Sequence, residues 1–444
     1  VGGMSRYLND LRSRKSYSEF KENVENALNN IPGVGKSVAR TLKKSKDSIK
    51  QLFIPGMLFE NMGITYYGLV NGHDIYELIH AINRAKQHEG PILIHAITRK
   101  GMGYKNAERN PEKFHGIGPF DKETGELLVQ KTQKTYTDIF SKSLIELARD
   151  NKKVVAITAA MPSGTGLKTF KKCYPKRFFD VGIAEEHAVT FAAGLAAQGM
   201  HPVFAVYSSF LQRGYDQVLH DVCIQKLPVF FCIDRSGLVG ADGETHQGIF
   251  DISYLSHIPN MVLMAPKNAR EMPEMMKFAL AYDGPVAMKY PRGSVYDGLS
   301  EFNVPVELGK SEVIYEGRDV VILSVGNIME ECEEAVRVLQ EEGYHPGLVN
   351  VRFIRPMDEQ LLHELAAKYS LIVTIEENQL IGGYGQMVSA FLHKNKYQND
   401  LLSLGIADYF VRHATVAQQR KEAGIDKASI VKSIIDRMNY RSDR

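Results

Sequence analysis

The sequence predicts an α/β fold of three doubly wound domains, in which helices cover both faces of a parallel sheet. Apolar, β-branched runs of strand length recur along the chain, and polar, glycine-rich segments follow them. Helical patterns alternate with these runs, and that alternation is typical of parallel sheets. Ligands of such sheets bind outside the carboxyl ends of the strands. At about 150 residues for each domain, a chain of 444 residues has room for roughly three.

The first region contains one helix–strand unit and a polar tail. Asp74 can cap a helix over residues 74–88. Apolar side chains recur along it at helical spacing: Ile75, Leu78, Ile79, Ile82 and Ala85. A strand over residues 91–98 and a glycine loop follow. Residues 106–130 are polar with little periodicity, so we interpret them as an interdomain linker.

The remaining two regions repeat the alternation of strands, loops and helices. In the second region, strands are predicted at residues 177–181, 202–206, 229–233 and 285–288. In the third region, we predict a helix at residues 330–342 and strands at residues 320–323, 345–351 and 371–375. The acidic run at residues 376–378 and a glycine loop at residues 381–385 should follow the last of these strands.

The composition excludes several classes of protein. With 54 basic and 52 acidic residues, the net charge of +2 predicts no strong attraction to nucleic acid or to a membrane surface. No apolar run approaches the roughly 18 residues that span a bilayer. Cys223 and Cys232 lie in apolar context and have no metal-binding or CxxC spacing. We expect them to be reduced core residues, which suits a cytoplasmic protein.

An acidic pair lies where a core helix should begin. Residues 177–181 predict a short buried strand, and residues 188–196 are small, apolar and compatible with a helix. Glu185 and Glu186 therefore lie at a strand-to-helix junction. A carboxylate there either offsets the helix dipole or is a functional acid with a raised pKa in a dry cleft.

Three polar loops after buried strands favour the functional alternative. They read YSSFLQRGYDQ from Tyr207, DRSGLVGADGETHQG from Asp234 and YPRG from Tyr290. Together with the acidic pair they bring Glu, Arg, Asp and His side chains to the carboxyl ends of successive strands. Such a constellation predicts a binding or catalytic site at that edge of the sheet.

These motifs resemble a known family. IAEEHAVTFAAGLA, YSSFLQRGYDQVLHD, DRSGLVGADGETHQG and YPRG are similar to the pyrimidine-binding domain of thiamine-diphosphate enzymes, most specifically between Arg177 and Gly293. The DRSGLVGADG and THQG segments resemble the 1-deoxy-D-xylulose-5-phosphate synthase family of the transketolase superfamily. Ordinary transketolases are not similar to these segments in this form.

The resemblance implies three transketolase-type domains and a reaction. Residues 1–130 would be the remainder of an incomplete diphosphate-binding domain plus linker, 131–300 the pyrimidine-binding domain and 301–444 the C-terminal domain. The expected protein is a cytoplasmic homodimer. It would condense pyruvate with D-glyceraldehyde 3-phosphate, release carbon dioxide and give 1-deoxy-D-xylulose 5-phosphate, a precursor of isoprenoids, thiamine and pyridoxal.

The resemblance also assigns a cofactor site for thiamine diphosphate. Glu185 would hydrogen-bond the pyrimidine ring and favour the imino tautomer, whose nitrogen removes the thiazolium C2 proton. Phe210 would stack on the pyrimidine, and Arg213 would face the cofactor or orient its neighbours. Lys100 and Tyr104, in RKGMGY, match a loop near the diphosphate.

The substrate residues follow from the same motifs. Arg235 and Arg292 would hold the phosphate of glyceraldehyde 3-phosphate, since paired guanidinium groups suit phosphate oxygens. Salt bridges between domains remain the alternative for both. Tyr207 would lie on the substrate side of the pocket. Asp242 and His246 would flank the reacting carbon, and His246 with His115 would supply hydrogen bonds or protons to the oxygens of the pyruvate adduct.

One part of the family pattern has no match. A GDG…N motif binds Mg²⁺ and the diphosphate in the family, and we expect its ligands in an N-terminal segment upstream of Val1. Asp242 and Asn268 mimic the motif, but Asn268 begins NARE, which is typical of a helix cap with Glu271. The chain is therefore expected to be a fragment that is inactive alone and binds the cofactor weakly.

Other functions stay open at this point. Another two-carbon transferase could use ketose phosphates, and a non-catalytic partner subunit would fit the absent magnesium motif. Residues 31–39 resemble a helix-hairpin-helix DNA motif, but one hairpin in a nearly neutral chain is a weak signal. The GKS within it is not a P-loop, because Asn30 stands where the first glycine is required.

Overall fold

A computed structural model describes residues 59–60, 62–128 and 133–442, apart from the side chains of Ala241, Arg441 and Ser442. The chain divides into two compact units, residues 1–130 and 131–444. The hairpin motif at residues 31–39 lies outside the described residues. Our division into three domains at residues 130 and 300 stays a prediction.

The first unit confirms the predicted helix–strand pattern. Strand β1, Thr65–Asn71, pairs in parallel with β2, Ile92–Ile97, and helix α1, Ile75–Ala85, connects them. The Asp74 side chain caps this helix by accepting hydrogen bonds from the N–H groups of Tyr76 and Glu77.

The apolar stripe of α1 is not covered in the part of the chain that the structure describes. Ile75, Ile79 and Ile82 are exposed, and Ala81 is the buried residue of the helix. Periodicity therefore identified the helix correctly, but it does not identify what packs against the helix.

The predicted linker at residues 106–130 contains ordered structure, and its role as a linker stays a prediction. Helix α2, Lys105–Arg109, begins the segment, and a β-bridge joins Phe120 to Leu127. Phe114 and Phe120 pack against the ring of Tyr104, with centroid separations of 5.3 and 5.9 Å. These few aromatic contacts have no regular spacing, so a periodicity argument does not find them.

The second unit contains two sheets, and the first has seven strands. Its strands are β3 Val154–Thr158, β4 Phe178–Asp180, β5 His201–Tyr207, β6 Phe230–Asp234, β7 Val262–Met264, β8 Val286–Lys289 and β12 Phe353–Arg355. Their spatial order is β12-β7-β8-β6-β5-β3-β4. All neighbours are parallel except β12, which is antiparallel to β7.

The second sheet has five strands in the order β14-β13-β10-β11-β9. They are β9 Glu312–Tyr315, β10 Val320–Ser324, β11 Pro346–Asn350, β13 Leu371–Gln379 and β14 Asp400–Ile406. Strand β9 is antiparallel to its neighbour, and the others run parallel. The α/β class with largely parallel sheets is therefore confirmed.

Helices surround both sheets. They are α3 Tyr136–Asp150, α4 Lys168–Cys173, α5 Glu185–Ala197, α6 Ser208–Leu211, α7 Tyr215–Gln217, α8 Asp251–Leu255, α9 Glu271–Ala281, α10 Met329–Glu341, α11 Glu359–Lys368, α12 Tyr384–Lys394, α13 Val416–Ala423 and α14 Lys427–Ser442. One buried apolar cluster joins the sheets, since it contains Ile157 and Phe231 from the first and Val321 and Ile372 from the second. This shared core makes the two sheets one packed unit.

The acidic run at residues 376–378 differs from its predicted place. It lies inside β13, which continues to Gln379, rather than in a loop after the strand. Glu376, Glu377 and Asn378 are all buried, and each has hydrogen-bond partners. A buried strand tolerates such polar side chains because they are paired.

Candidate active site

The polar segments predicted to form a site follow neighbouring parallel strands of the first sheet. Strands β3, β5, β6 and β8 lie side by side, so their carboxyl ends share one edge. Helix α5 begins just after β4, which is the next strand beyond β3. The predicted residues of the second unit therefore gather at one sheet edge, as ligand sites of this fold class do.

Glu185 is a buried acid with an unused oxygen. It is the first residue of α5, and only 2% of it is exposed. Arg213 Nη1 donates to Glu185 Oε1 over 3.0 Å. Oε2 is buried and has no hydrogen-bond partner among the described residues. Buried polar atoms are normally paired, so Oε2 has unused capacity to accept a hydrogen bond.

Two aromatic rings are connected to this acid through Arg213. Phe210 stacks on Tyr207, with ring centroids 5.4 Å apart and an interplanar angle of 23°. The Arg213 guanidinium carbon lies 5.0 Å from the centroid of Phe210, so Arg213 contacts both the ring and Glu185. The half-buried Phe210 and the buried carboxylate thus share Arg213 as a neighbour.

Arg235 is held in an unusual backbone conformation at the end of β6. Its φ is +60°, a left-handed value that is uncommon for a non-glycine residue. The guanidinium group lies 3.7 Å from the centroid of Tyr207, and Nη1 donates to the Gly164 carbonyl over 3.1 Å. Arg235 Nε is buried and lacks a hydrogen-bond partner in the described part of the chain.

Arg235 and Arg292 converge on one carboxylate. Arg292 Nη1 donates to Asp242 Oδ1 over 2.7 Å, and Arg235 Nε lies 3.6 Å from Asp242 Oδ2. The two arginines therefore face a common anion. This geometry agrees with the predicted phosphate pair, although the alternative of a purely structural ion pair uses the same contacts.

His246 lies in the same loop as Asp242 and reaches the aromatic pair. Its ring centroid is 5.4 Å from that of Phe210, in an edge-on arrangement. His246 Nδ1 shares a hydrogen bond of 2.8 Å with Thr245 Oγ1. Nδ1 is thereby engaged, which leaves Nε2 as the ring nitrogen for exchange of a proton with a ligand.

Asp234 is a site-supporting acid that the sequence analysis missed. It ends β6 and is fully buried, where Thr137 Oγ1 donates to it over 2.8 Å and Arg235 Nη1 over 3.1 Å. Burial raises its pKa to about 6. The signal available in the sequence was an acid at the end of an apolar run, directly before Arg235.

Three predicted site residues belong to the first unit. His115 is exposed in a bend, and Lys100 is exposed in the glycine loop before α2. Tyr104 precedes α2, and its hydroxyl donates to the Lys122 carbonyl over 2.9 Å. The first unit thus uses Tyr104 in its own packing, and the cofactor roles of all three residues stay predictions.

Asn268 caps local structure, as the NARE motif predicts. Its side-chain oxygen accepts a hydrogen bond from the Glu271 N–H over 2.9 Å. The Glu271 carboxylate accepts from the Lys267 N–H over 2.7 Å, one residue earlier than in a standard capping box. Among the described residues, no three His, Cys, Asp or Glu side chains form a group that could hold a metal ion.

Three protein families match successive parts of the chain. The 1-deoxy-D-xylulose-5-phosphate synthase model matches residues 1–98, the transketolase pyrimidine-binding domain residues 132–297 and the transketolase C-terminal domain residues 309–430. A 1-deoxy-D-xylulose-5-phosphate synthase of Lachnoclostridium phytofermentans is 50% identical over 435 residues, which cover 98% of this chain and 70% of that protein. The chain belongs to the 1-deoxy-D-xylulose-5-phosphate synthase family.

A second relative agrees with this assignment. The 1-deoxy-D-xylulose-5-phosphate synthase of Caldanaerobacter subterraneus subsp. tengcongensis is 49% identical over 439 residues, again covering 98% of this chain and 70% of that protein. Membership makes the protein a thiamine-diphosphate-dependent transferase of the transketolase type. The resemblance stated from the motifs is therefore confirmed.

Solved structures agree with the fold. A split-gene transketolase, described as an inactive β4 tetramer, is 28% identical and has a TM-score of 0.63 over 69% of this chain and 99% of that one. The transketolase of Campylobacter jejuni is 18% identical, with a TM-score of 0.58 over 86% of this chain and 68% of that one. The second likeness supports the fold alone.

The site residues fit the pyrimidine half of thiamine diphosphate. That half needs a carboxyl oxygen that can accept a hydrogen bond and an aromatic surface, and Glu185 Oε2 and Phe210 offer them.

The four cysteines are free thiols, and Cys223 and Cys232 are buried as expected. Within the described ranges, no helix is long and apolar enough to span a bilayer.

Proposed function

We propose that this protein condenses pyruvate with D-glyceraldehyde 3-phosphate, releases carbon dioxide and forms 1-deoxy-D-xylulose 5-phosphate. The observation that carries the proposal is the Glu185 Oε2 atom, which has no hydrogen-bond partner among the described residues, on the same sheet edge as an arginine pair that faces an anion. When bound, thiamine diphosphate supplies a carbanion at its thiazolium C2, which adds to the pyruvate carbonyl.

Glu185 would hold a proton against the pyrimidine ring. Its Oε1 is engaged by Arg213, which fixes the orientation of the carboxyl group. Oε2 would then hydrogen-bond a pyrimidine nitrogen and favour the imino tautomer of the ring. Phe210 would contact the plane of the pyrimidine ring. Arg213, which contacts Phe210 and Glu185, would help to exclude water from these two side chains.

The arginine pair would bind the phosphate of the aldehyde substrate. Arg235 is fixed by Gly164, Tyr207 and Asp234, so its guanidinium group is preorganised. Arg292 is 40% exposed and is free to approach a substrate. Asp242 occupies the anionic position between them in the structure. When substrate binds, the phosphate would replace the Asp242 carboxylate as the partner of the two arginines.

The remaining assignments extend the same proposal. His246 would exchange a proton with the substrate oxygens, together with His115. Lys100 and Tyr104 would contact the diphosphate, and Mg²⁺ would supply positive charge that offsets the charge of the diphosphate. We also propose a cytoplasmic homodimer. Calorimetry of thiamine diphosphate binding with and without chelator tests the metal: tight binding that collapses with chelator would reveal magnesium ligands within this chain.

Two measurements test the function. The first uses the protein with the expected N-terminal segment restored, because the chain alone is expected to be inactive. With thiamine diphosphate, Mg²⁺ and both substrates, release of carbon dioxide together with 1-deoxy-D-xylulose 5-phosphate supports the proposal. Two-carbon transfer from xylulose 5-phosphate without use of pyruvate would favour another ketose-phosphate transferase. Calorimetry tests the chain independently of turnover, since glyceraldehyde 3-phosphate should bind the wild-type protein and bind Arg292→Ala more weakly. Equal binding would contradict the proposal.

A further inference from the structure

The loop that carries Asp242 and His246 has a narrow neck. Gly237 and Gly248 exchange two backbone hydrogen bonds, of 2.7 and 2.8 Å, and so close the loop at its base. Residues 238–247 lie between them; the structure gives two short 3-10 turns there, Gly240–Asp242 and Glu244–His246. Short turns contribute few hydrogen bonds, so the shape of the loop depends on its surroundings.

Two buried side chains from the region of the second sheet hold the first part of this loop. Glu377 Oε2 accepts the Leu238 N–H over 3.2 Å, and Gln419 Oε1 accepts the Gly240 N–H over 3.1 Å. Glu377 lies in β13 and Gln419 in α13. Both side chains are buried, with 2% and 0% exposed, so these backbone groups are held away from water.

The approach of Glu377 to the loop is close enough to require a glycine. A Cβ atom at position 237 would lie 2.2 Å from Glu377 Oε2, and Gly237 has a φ of +76°. Both facts select glycine at this position. The close contact between Glu377 and the neck of the loop therefore depends on glycine at position 237.

Arg420 fixes Glu377 from the other side. Arg420 Nε donates to Glu377 Oε1 over 2.7 Å, and Asn327 Nδ2 donates to Oε2 over 2.9 Å. Arg420 follows Gln419 on α13, and its Nη1 also donates to Glu331 over 3.1 Å. Helix α13 thus supplies two residues: Gln419, which holds the loop directly, and Arg420, which orients Glu377.

We infer that Glu377, oriented by Arg420, is a positioning residue for the loop that presents Asp242 and His246 to the substrate. This inference rests on the proposed function, since it assigns Glu377 an effect on the aldehyde and its phosphate. Glu377 acts through the backbone of Leu238 and touches no reacting atom.

Amide hydrogen exchange on the ligand-free chain tests whether Glu377 holds the backbone of the loop. Glu377→Gln leaves one acceptor oxygen where two are used, so it cannot serve both Arg420 and the Leu238 N–H. The amides of Leu238 and Gly240 should exchange about tenfold faster, the size expected for one lost charge-assisted hydrogen bond. Gln419→Ala should accelerate the Gly240 amide in the same way.

Glu376→Gln is the matched control. Glu376 is the neighbouring buried glutamate of the same strand, but it accepts from the N–H groups of Tyr384 and Gly385 instead of the loop. Its substitution should leave the Leu238 and Gly240 amides unchanged. Unchanged exchange of the Leu238 amide in Glu377→Gln, or an equal increase in the control, would overturn the inference.

Kinetics of the holoenzyme separate positioning from general damage. Glu377→Gln should lower kcat/KM for glyceraldehyde 3-phosphate about tenfold and leave deuterium exchange at the cofactor C2 unchanged, because Glu185 lies on a different element. A loss of C2 exchange would show a merely structural effect and overturn the inference. If wild-type protein does not bind glyceraldehyde 3-phosphate, the proposed function fails, while the exchange experiment still decides whether Glu377 holds the loop.

Discussion

Glu185 and Glu377 are equally buried, with 2% exposed in each, but their hydrogen bonding differs. Glu377, in the second sheet, accepts from Arg420, Asn327 and the Leu238 N–H, so both of its oxygens are used. Glu185, beside the first sheet, accepts from Arg213 and keeps Oε2 unpaired among the described residues. Burial alone therefore does not distinguish these two acids, whereas the unused capacity of Glu185 to accept a hydrogen bond does.

Two arginines repeat the comparison. Arg235 and Arg352 follow buried parallel strands, and both have left-handed backbones, with φ of +60° and +53°. Arg352 is buried and donates to Glu271 and to the carbonyls of Val304 and Pro305. Arg235 keeps an unpaired Nε and faces the shared anion position. The left-handed backbone thus positions a structural arginine after one strand and the proposed phosphate-binding arginine after the other.

The largest effect is expected at Glu185. Glu185→Gln should lower turnover of pyruvate and glyceraldehyde 3-phosphate by roughly 10²–10⁴-fold, the range for a lost acid–base group. Glu186→Gln is the control, because Glu186 is the adjacent exposed glutamate on the same helix. Steady-state kinetics with unchanged circular dichroism would support the assignment. Similar losses in both variants would remove the distinction between them.

Arg352 should be the more important arginine for stability. Arg352→Leu leaves Lys267 as the remaining cation beside the two buried carboxylates of Glu271 and Glu312, so one buried negative charge is in excess. The substitution should lower the free energy of unfolding by about 3–5 kcal/mol. Arg235→Leu should cost less, since Asp234 keeps the Thr137 hydrogen bond and can take up a proton with its pKa of about 6. Denaturant titration of both variants measures the difference, and equal destabilisation would refute the comparison.

Arg235 and Arg292 should be the more important arginines for the phosphate. Alanine at either position should weaken use of glyceraldehyde 3-phosphate by about 1.5–3 kcal/mol, and should affect unphosphorylated glyceraldehyde much less. Arg318→Ala is the control, because Arg318 is exposed and pairs with Asp319 in another part of the unit. The ratio of kcat/KM for the two aldehydes is the measurement. A ratio unchanged from wild type would mean that both arginines are structural.

A further effect is a change in the pH dependence of stability. Burial raises the pKa of Glu376 from 4.5 to about 7, so the folded protein holds this proton more tightly than the unfolded chain. The resulting stability is complete below about pH 4.5 and is lost as the pH rises through about 7. Glu376→Gln should therefore flatten the unfolding free energy between these values. A slope identical to wild type would exclude Glu376 as the titrating group.

The sequence was sufficient for features that are local. The α5 start at Glu185 and the Asp74 cap depend on neighbouring residues, and the structure confirms their positions. Contacts across long sequence distances were not accessible. The pairing of Arg292 with Asp242 and the hold of Glu377 on Leu238 join residues 50 and 139 positions apart, and a periodic pattern carries no information on such pairs.

Deuterium exchange at C2 of bound thiamine diphosphate, followed by NMR at saturating cofactor and Mg²⁺, tests the central claim most directly. The claim is that Glu185, and no other buried glutamate of the unit, activates the cofactor. Exchange should fall by at least roughly 10²-fold in Glu185→Gln and stay at the wild-type rate in Glu377→Gln. Equal rates in wild type and Glu185→Gln would contradict the account.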